Sequence, residues 1–488
     1  MTEPLPSPMV IKQAASWLAR QELWLTLAAA PLFLFPNRYT PLALLLLIVA
    51  WLCRWATQGA ITKRTRLDIP IVLLLVALPI SLYPSVDLSR SLLKAYGIIL
   101  GVALFYALVN REWSERGIWL VMNAFWPLGL GVCLLSWLGM ATPWEKVFPL
   151  PALYQRFSQA VVLPGLLQGE GYHPNEVGGT LSMLVPPSVA LLLWSPWPSG
   201  RWWRALYRAG LLLAMAVMGA LLILTQSRVA FASLVLALAL MGVLAGRRAL
   251  LILPVLVIAG FLALSYFHLT DVFFISITAR QTNWQQALLL IAQYPFTGIG
   301  LNTYHLISQL NYPYFLLTPF ESVFQGIIMG DFLTVHAHNV FLQVWIDLGI
   351  LGIFGFLGLL AAFVTTARPV LGSGDERLRA YALGLVGGLA AYLAFGLIDT
   401  IALGAKPAIL IWAFLGLMVV LGQEAQKRQF RKSPNQGMPK LRAAIRWRLL
   451  AVVLIGLITL LLFFGPNAWA LNLGSAAQIG RASCRERV

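Results

Sequence analysis

The sequence predicts an all-α polytopic membrane protein with about 12–13 transmembrane helices and a large extracytoplasmic loop that contains short surface helices. Of the 488 residues, 59% are hydrophobic and only 11% are charged. The mean hydropathy is +0.79, and soluble domains carry about twice this share of charged residues. Apolar runs that are long enough to cross a bilayer also recur along most of the chain, which excludes a soluble fold.

The apolar runs predict the membrane helices one by one. Several are shorter than the ~20 residues that usually span a bilayer, so some helices are expected to tilt or to end in capping loops. The first run has no small-residue cleavage site and is followed at once by another, which is typical of a membrane helix. The predicted runs are 23–36, 41–53, 69–83, 95–109, 117–139, 177–194, 209–225, 229–246, 249–266, 340–364, 380–397, 407–422 and 449–464.

The positions of the basic residues predict how the chain is oriented. With a cytoplasmic N-terminus, 24 of the 35 lysines and arginines fall in the inner segments. This is the positive-inside pattern, and attraction to anionic membrane lipids reinforces it. The net charge of +17 is therefore explained by membrane topology, and no nucleic-acid partner is predicted.

The same interpretation of the sequence divides the chain into four parts. Residues 1–422 are expected to form the bundle, with 267–339 as an extracytoplasmic cap that contains a single cation, Arg280. A surface helix is predicted over Trp284–Gln293, stopped by Tyr294-Pro295, and a second one around Glu321–Met329. A basic cytoplasmic linker (423–448), a final transmembrane helix (449–464) and an outer tail (465–488) follow. The last eight residues suggest a truncated or foreign end.

Isolated cations and imidazoles gather in the outer segments. Arg228 and Arg280 could be snorkelling or helix-end residues, but two outer arginines also suit an anionic ligand, since guanidinium binds phosphate oxygens in a bidentate fork. His338 could be a hydrogen-bonded interfacial residue or a general base. A metal is not predicted, because His336 and His338 do not share a helix face and no acidic ligand accompanies them. All five histidines are outer: His173, His268, His305, His336 and His338.

Two acids and several glycines are interpreted as structural residues. Asp347 lies inside an apolar run and is expected to orient a partner, or to pair with Lys406 or Arg228. Asp399 and Lys406 could be mutual neighbours with a structural role. Gly298-Ile299-Gly300 predicts a tight turn that leads to Asn302. A dinucleotide-binding motif is not predicted here, because the third glycine of that motif is missing. Close helix packing is expected at the glycines on successive turns, Gly349, Gly352, Gly355 and Gly358.

Four stretches together resemble the O-antigen ligase and polymerase superfamily, over roughly residues 170–425. The run HAHNVFLQVWIDLGILGIFGFLGLL starts at His336 and is similar to the family signature, in which a His-Asn pair opens a helix and is followed by an acid and Gly-x-x-Gly. The others are HPNEVGGTLSMLVP from His173, LTQSRVAF from Leu224 and ARQTNWQQALLLIAQYPFTGIGLNTY from Ala279.

The resemblance implies a metal-independent, cofactor-free glycosyltransferase of the bacterial cytoplasmic (inner) membrane. It would move a glycan from an undecaprenyl-diphosphate donor to a hydroxyl of lipid A core, of a growing polysaccharide or of a protein. Arg228, Arg280 and His338 match the essential residues of the family. The resemblance implies that the arginines hold the diphosphate and that His338 accepts or orients the hydroxyl proton. The residues expected to bind substrate are Asn339, Trp284, Asn302, His336 and Asp347.

A small-anion transporter of the bicarbonate type is the alternative function. Such a protein should show inverted repeats and broken, polar helices that meet near the membrane midplane, and neither is evident in the sequence. A lipid-flipping protein without chemistry would need polar residues along a whole groove. The glycosyltransferase interpretation predicts instead that Arg228, Arg280 and His338 share one site at the outer face.

Overall fold

The computed structural model describes residues 8–139, 172–194, 200–246, 270–309 and 336–432. These ranges contain fifteen α-helices and one short 3-10 helix, Lys406–Ala408. The α-helices are α1 (Pro8–Arg20), α2 (Glu22–Leu34), α3 (Thr40–Gln58), α4 (Asp68–Leu82), α5 (Leu88–Asn110), α6 (Glu115–Asn123), α7 (Phe125–Gly139), α8 (Pro174–Trp194), α9 (Arg201–Leu224), α10 (Arg228–Ala245), α11 (Thr270–Gln293), α12 (Tyr304–Gln309), α13 (Val340–Leu371), α14 (Glu376–Gly396) and α15 (Ile409–Lys432).

The predicted fold class, an all-α polytopic membrane protein, is confirmed. Within the described ranges, nine helical segments are long and apolar enough to cross a membrane, and α2 and α4 are shorter apolar helices. Together these account for every predicted run that falls in those ranges. The runs 249–266 and 449–464, and the predicted surface helix Glu321–Met329, lie outside the described residues.

The most deeply buried helices form the centre of the bundle. α8 packs against α14, and α15 packs against α5, so that Tyr392, Trp412 and Phe414 are fully enclosed. By contrast α3, α9 and α10 present Leu and Val side chains outward, as expected of helices that face lipid. Trp202 and Trp203 are exposed at the start of α9, which is typical of an aromatic belt at the membrane interface.

The glycines of α13 pack closely, as predicted, at two positions. A Cβ atom on Gly355 would lie 2.8 Å from Leu74 Cγ, and one on Gly358 would lie 2.9 Å from Pro70 Cγ. Only glycine therefore lets α13 approach α4 this closely. Gly349 behaves differently, because its backbone angles (φ 65°, ψ −163°) interrupt the helix.

The break at Gly349 corrects the expectation that the chain has no broken helix. Glycine adopts a positive φ without a steric penalty. The uninterrupted apolar run gave no sign that Gly349 would break the helix. The break is occupied by the cap, since the backbone N–H of Ile299 donates to the carbonyl of Ile346 at 2.9 Å. Irregular backbone at membrane depth is stable where protein covers it in this way.

Two predicted boundaries shift in the structure. The cap helix ends at Gln293 before Tyr294-Pro295, as predicted, but it begins at Thr270, so Arg280 lies within a helix. The first part of the predicted cytoplasmic linker is helical, because α15 continues to Lys432. In that extension Arg428 contacts Glu115 at 2.7 Å and also contacts Asp375, which ties the end of α15 to α6 and α14.

A buried ion pair joins the N-terminal helices to the bundle. Arg54 Nε of α3 donates to Glu22 Oε2 of α2 at 3.1 Å, and the two side chains are only 5% and 3% exposed. Asn110 at the end of α5 donates to both carboxylate oxygens at 3.0 Å, and Trp51 donates to Oε1 at 3.0 Å. The Glu22 carboxylate of α2 is thereby held by residues of two other helices, α3 and α5.

We expect Arg54→Met to destabilise the protein strongly. Removing one partner leaves a buried charge uncompensated, which costs about 3–5 kcal/mol. The measurement is thermal unfolding of the purified protein in detergent, with the exposed Arg38→Met as the matched control. Equal unfolding temperatures for both variants and the wild type would show that this network does not hold α2 and α3 to the bundle.

Candidate functional site

Two turns at one end of the bundle are brought together by α8. The Arg228 turn (residues 225–228) joins α9 to α10, and the Asp399 turn (residues 397–405) follows α14. A Cβ atom on Gly178 would lie 2.9 Å from Ala230 Cβ, and one on Gly179 would lie 2.9 Å from Phe395 Cζ. The adjacent glycines of α8 therefore let the two turns pack against neighbouring faces of one helix.

Asp399 is the centre of the cluster. Its Oδ1 lies 3.1 Å from Nδ1 of His338 and accepts a 2.8 Å bond from the backbone N–H of Thr400. Its Oδ2 accepts a 2.8 Å bond from the side-chain amide of Asn175 and lies 4.0 Å from Nη2 of Arg280. Three other segments of the chain thus converge on one carboxylate that is 5% exposed.

The Asp399 carboxylate stays ionised despite its burial. Burial by itself would raise its pKa, but the hydrogen bond and charge of His338, the Thr400 N–H and the charge of Arg280 outweigh it. Together they lower the pKa of Asp399 to about 2. A carboxylate in this state only accepts hydrogen bonds, so it is a fixed acceptor for the side chains around it.

His338 is held in an unusual backbone conformation. Its φ is 49°, which is a strained region for a residue with a Cβ atom and is found where surrounding contacts enforce it. Trp284 of α11 donates its indole N–H to the carbonyl of His338 at 3.1 Å. The next residue, Asn339, caps α13 by accepting the N–H groups of Phe341 and Leu342. The His-Asn pair therefore opens a helix, as the sequence predicts.

The hydrogen bond to Asp399 fixes the tautomer of His338. An ionised carboxylate can only accept, so in the neutral imidazole Nδ1 must carry the proton. The lone pair is then on Nε2, the nitrogen that does not face Asp399. The ring is 26% exposed, so it is partly accessible to solvent.

Arg280 and Arg228 approach the cluster from two different helices. Arg280 Nε donates to the carbonyl of Ile398 at 2.7 Å, which anchors the guanidinium on the Asp399 turn. Arg228 begins α10 directly after the capping residue Ser227, and it is close enough to Arg280 for the two positive charges to interact. The three residues predicted to share a site, Arg228, Arg280 and His338, are thus neighbours.

The remaining predicted site residues are engaged mainly with the protein itself. His336 lies beside His338; burial, with the charges of Lys94 and His338, lowers its pKa to about 3, so it is neutral near pH 7. Asp347 is 4% exposed and accepts a 2.8 Å bond from Gln343 and another from the N–H of Asn302. These bonds, rather than a pair with Lys406 or Arg228, hold its carboxylate.

Two residues of the cluster were not singled out from the sequence. Asp399 was read as a structural neighbour of Lys406, whereas its contacts are with His338, Asn175, Thr400 and Arg280. Lys406 instead lies over the ring of Phe35, 4.0 Å from its centroid. Asn175 belongs to the HPNEVGG stretch that carries part of the resemblance. Its position there was the available signal, but no local rule says which carboxylate it meets.

Comparison with known proteins identifies a family that part of the chain matches. A family model described as O-Antigen ligase matches residues 213–357, a range that includes Arg228, Arg280 and His338. A search of curated proteins finds no match. The matched domain and the apolar helices indicate a multi-pass protein of a bacterial inner membrane with a role in glycan assembly. The chain is therefore similar to the O-antigen ligase family over residues 213–357, which supports the resemblance seen in the sequence.

Proposed function

We propose that the protein transfers a glycan from an undecaprenyl-diphosphate carrier to an acceptor hydroxyl at the outer face of the inner membrane. The acceptor would be lipid A core, a growing polysaccharide or a protein. The proposal includes a cytoplasmic N-terminus, which the positive-inside pattern supports. The observation that carries it is the convergence of His338, Arg280 and Asn175 on the Asp399 carboxylate, beside Arg228.

His338 is the proposed general base. With Nδ1 bonded to Asp399, its Nε2 can accept the proton of an attacking hydroxyl, and the carboxylate stabilises the imidazolium that results. A base that is oriented by a third group in this way is the usual means of activating a hydroxyl. Asp399 is a positioning residue in this scheme, because it acts through the ring of His338.

Arg228 and Arg280 are the proposed diphosphate ligands. Two guanidinium groups and one carboxylate meet here, and guanidinium is the side-chain group best matched to phosphate oxygens. As the sugar–phosphate bond breaks, negative charge grows on the departing diphosphate, and fixed cations stabilise it. The arginines are proposed to supply this positive charge.

The sharpest test is glycan transfer from a purified lipid-diphosphate donor in the presence of EDTA. We expect Arg228→Ala, Arg280→Ala and His338→Ala each to insert and fold normally and to lose about 10²–10³-fold or more in rate. His305→Ala is the matched control, because that histidine is bonded to Arg90. Transfer at the wild-type rate by all three variants would refute the assignment.

A small-anion transporter is the second candidate, since the structure shows one broken helix with a buried acid, Asp347. Discontinuous helices line the binding sites of many transporters. Bicarbonate uptake by proteoliposomes, with no glycan product from a lipid-diphosphate donor, would favour this function. We favour the transferase because the cap fills the break and because the arginines and His338 meet at the end of the bundle.

A further inference from the structure

The break in α13 receives a segment of the cap. We call Val340–Leu348 the outer half-helix and residues 296–302 the inserted turn. A Cβ atom on Gly298 would lie 2.3 Å from the carbonyl oxygen of Ile346, and one on Gly349 would lie 2.0 Å from that of Phe296. Both glycines have a positive φ. The two backbones therefore meet in a contact that only glycine on each side permits.

Further hydrogen bonds attach the outer half-helix to its neighbours. The indole N–H of Trp345 donates to the carbonyl of Pro295 at 3.1 Å. The hydroxyl of Ser81 in α4 donates to the backbone carbonyl of Asp347. With the bond from Ile299 to Ile346, these contacts fix the outer half-helix against the cap and α4, separately from the rest of α13.

A buried chain of hydrogen bonds then runs from the break to the His338 loop (residues 336–339). The N–H of Asn302 donates to the Asp347 carboxylate. Gln343 Nε2 donates to Asp347 Oδ1 at 2.8 Å, and Gln343 Oε1 accepts the N–H of Ala337 at 2.9 Å. Gln343 is 1% exposed. The chain ends on the residue between His336 and His338.

We propose that Gln343 and Asp347 are positioning residues that hold the His338 loop in its reactive geometry. This rests on the proposed function, in which His338 is the base. The strained backbone of His338 needs surrounding contacts to maintain it, and buried hydrogen bonds are strong because the local dielectric is low. Side chains far from substrate can matter in this way, since a shift of about 1 Å at a reacting group can cost about 10²-fold in rate.

The test uses Gln343→Met, which keeps the length of the side chain and its helix preference but removes both polar atoms. Asp347→Asn is a second variant that keeps the volume. The measured quantity is the single-turnover rate constant with full-length enzyme in excess over a lipid-diphosphate donor. We expect a fall of about 10–100-fold for each variant, with donor affinity unchanged. A merely structural role would lower the amount of competent enzyme and leave this rate constant unchanged.

Thr366→Val is the matched control, because Thr366 lies on the inner part of α13 and bonds only to its own helix, at Ala362. It should transfer glycan at the wild-type rate. The double variant Gln343→Met/Asp347→Asn should be no slower than the worse single variant, because both act on one chain. Wild-type rate constants for both single variants, while His338→Ala is inactive, would overturn this inference alone. An active His338→Ala would instead overturn the proposed function.

Discussion

Replacing Asp399 by asparagine is expected to lower glycan transfer by roughly 10²–10⁴-fold, the range that general-base catalysis contributes. The protein should still fold, because the new side chain has nearly the same shape. The effect follows from the partners of the two carboxylate oxygens. Oδ1 faces His338 and the Thr400 N–H, and Oδ2 faces Asn175 and Arg280.

An amide has one oxygen and one NH2 group and cannot serve both sides. If its oxygen faces His338, its NH2 group meets the donors Asn175 and Arg280. If it is turned round, its NH2 group meets Nδ1 of His338 and drives the proton of the ring onto Nε2. The first orientation disrupts the positions of Asn175 and Arg280, and the second produces the wrong tautomer for a base.

The measurement is the transfer rate over a range of pH, together with the unfolding temperature. Asp87→Asn is the matched control, because Asp87 is an acid at the start of α5 that pairs with Arg90 and takes no part in the cluster. Asp399→Asn with a transfer rate within about threefold of the wild type would contradict the role of Asp399 as the group that orients a general base.

Arg280→Lys is the second change with a large expected effect, a loss of about 10²–10³-fold in transfer rate. Arg280 uses Nε for the carbonyl of Ile398 while Nη2 faces Asp399. Lysine has a single nitrogen and no planar fork, so it cannot keep these contacts and also bind a phosphate oxygen. Retention of the positive charge is therefore not expected to rescue the activity.

The same variant should discriminate between phosphate ligands. We expect Arg280→Lys to weaken binding of a lipid diphosphate more than that of a lipid monophosphate, which offers fewer oxygens to the two arginines. Arg38→Lys is the control, because Arg38 is an exposed arginine that bonds to Tyr39. Equal losses for both ligands would indicate that Arg280 provides charge alone.

Features that depend on neighbouring residues were predictable from the sequence. Membrane helices follow from apolar runs because a spanning helix satisfies its own backbone hydrogen bonds. The end of α11 at Gln293 followed from the restriction that Pro295 places on its predecessor. The capping of α13 by Asn339 is also a local effect, because Asn is a preferred residue at the N-terminal cap of a helix. The grouping of Arg228, Arg280 and His338 came from the resemblance to a family.

Features that depend on the tertiary fold were not predictable. Asp399 meets His338 across 61 positions of the chain and Asn175 across 224, and no local pattern carries that pairing. The role of Gly349 was equally hidden. Its spacing from Gly352 and Gly355 suits a packed, continuous helix, and only the approach of the Phe296 carbonyl shows why the chain breaks there. The sequence predicted that Asp347 is a buried acid, but it did not predict that Gln343 is its hydrogen-bond partner.

The length of α9 sets the depth of the site in the bilayer. Its 24 residues span about 36 Å, at 1.5 Å per residue, whereas the hydrocarbon core is about 30 Å thick. With Trp202 and Trp203 exposed where α9 begins, its other end, and with it Arg228, would reach the headgroup layer of the opposite leaflet. A carrier lipid could therefore present its diphosphate to the arginines while its polyprenyl tail stays among the acyl chains.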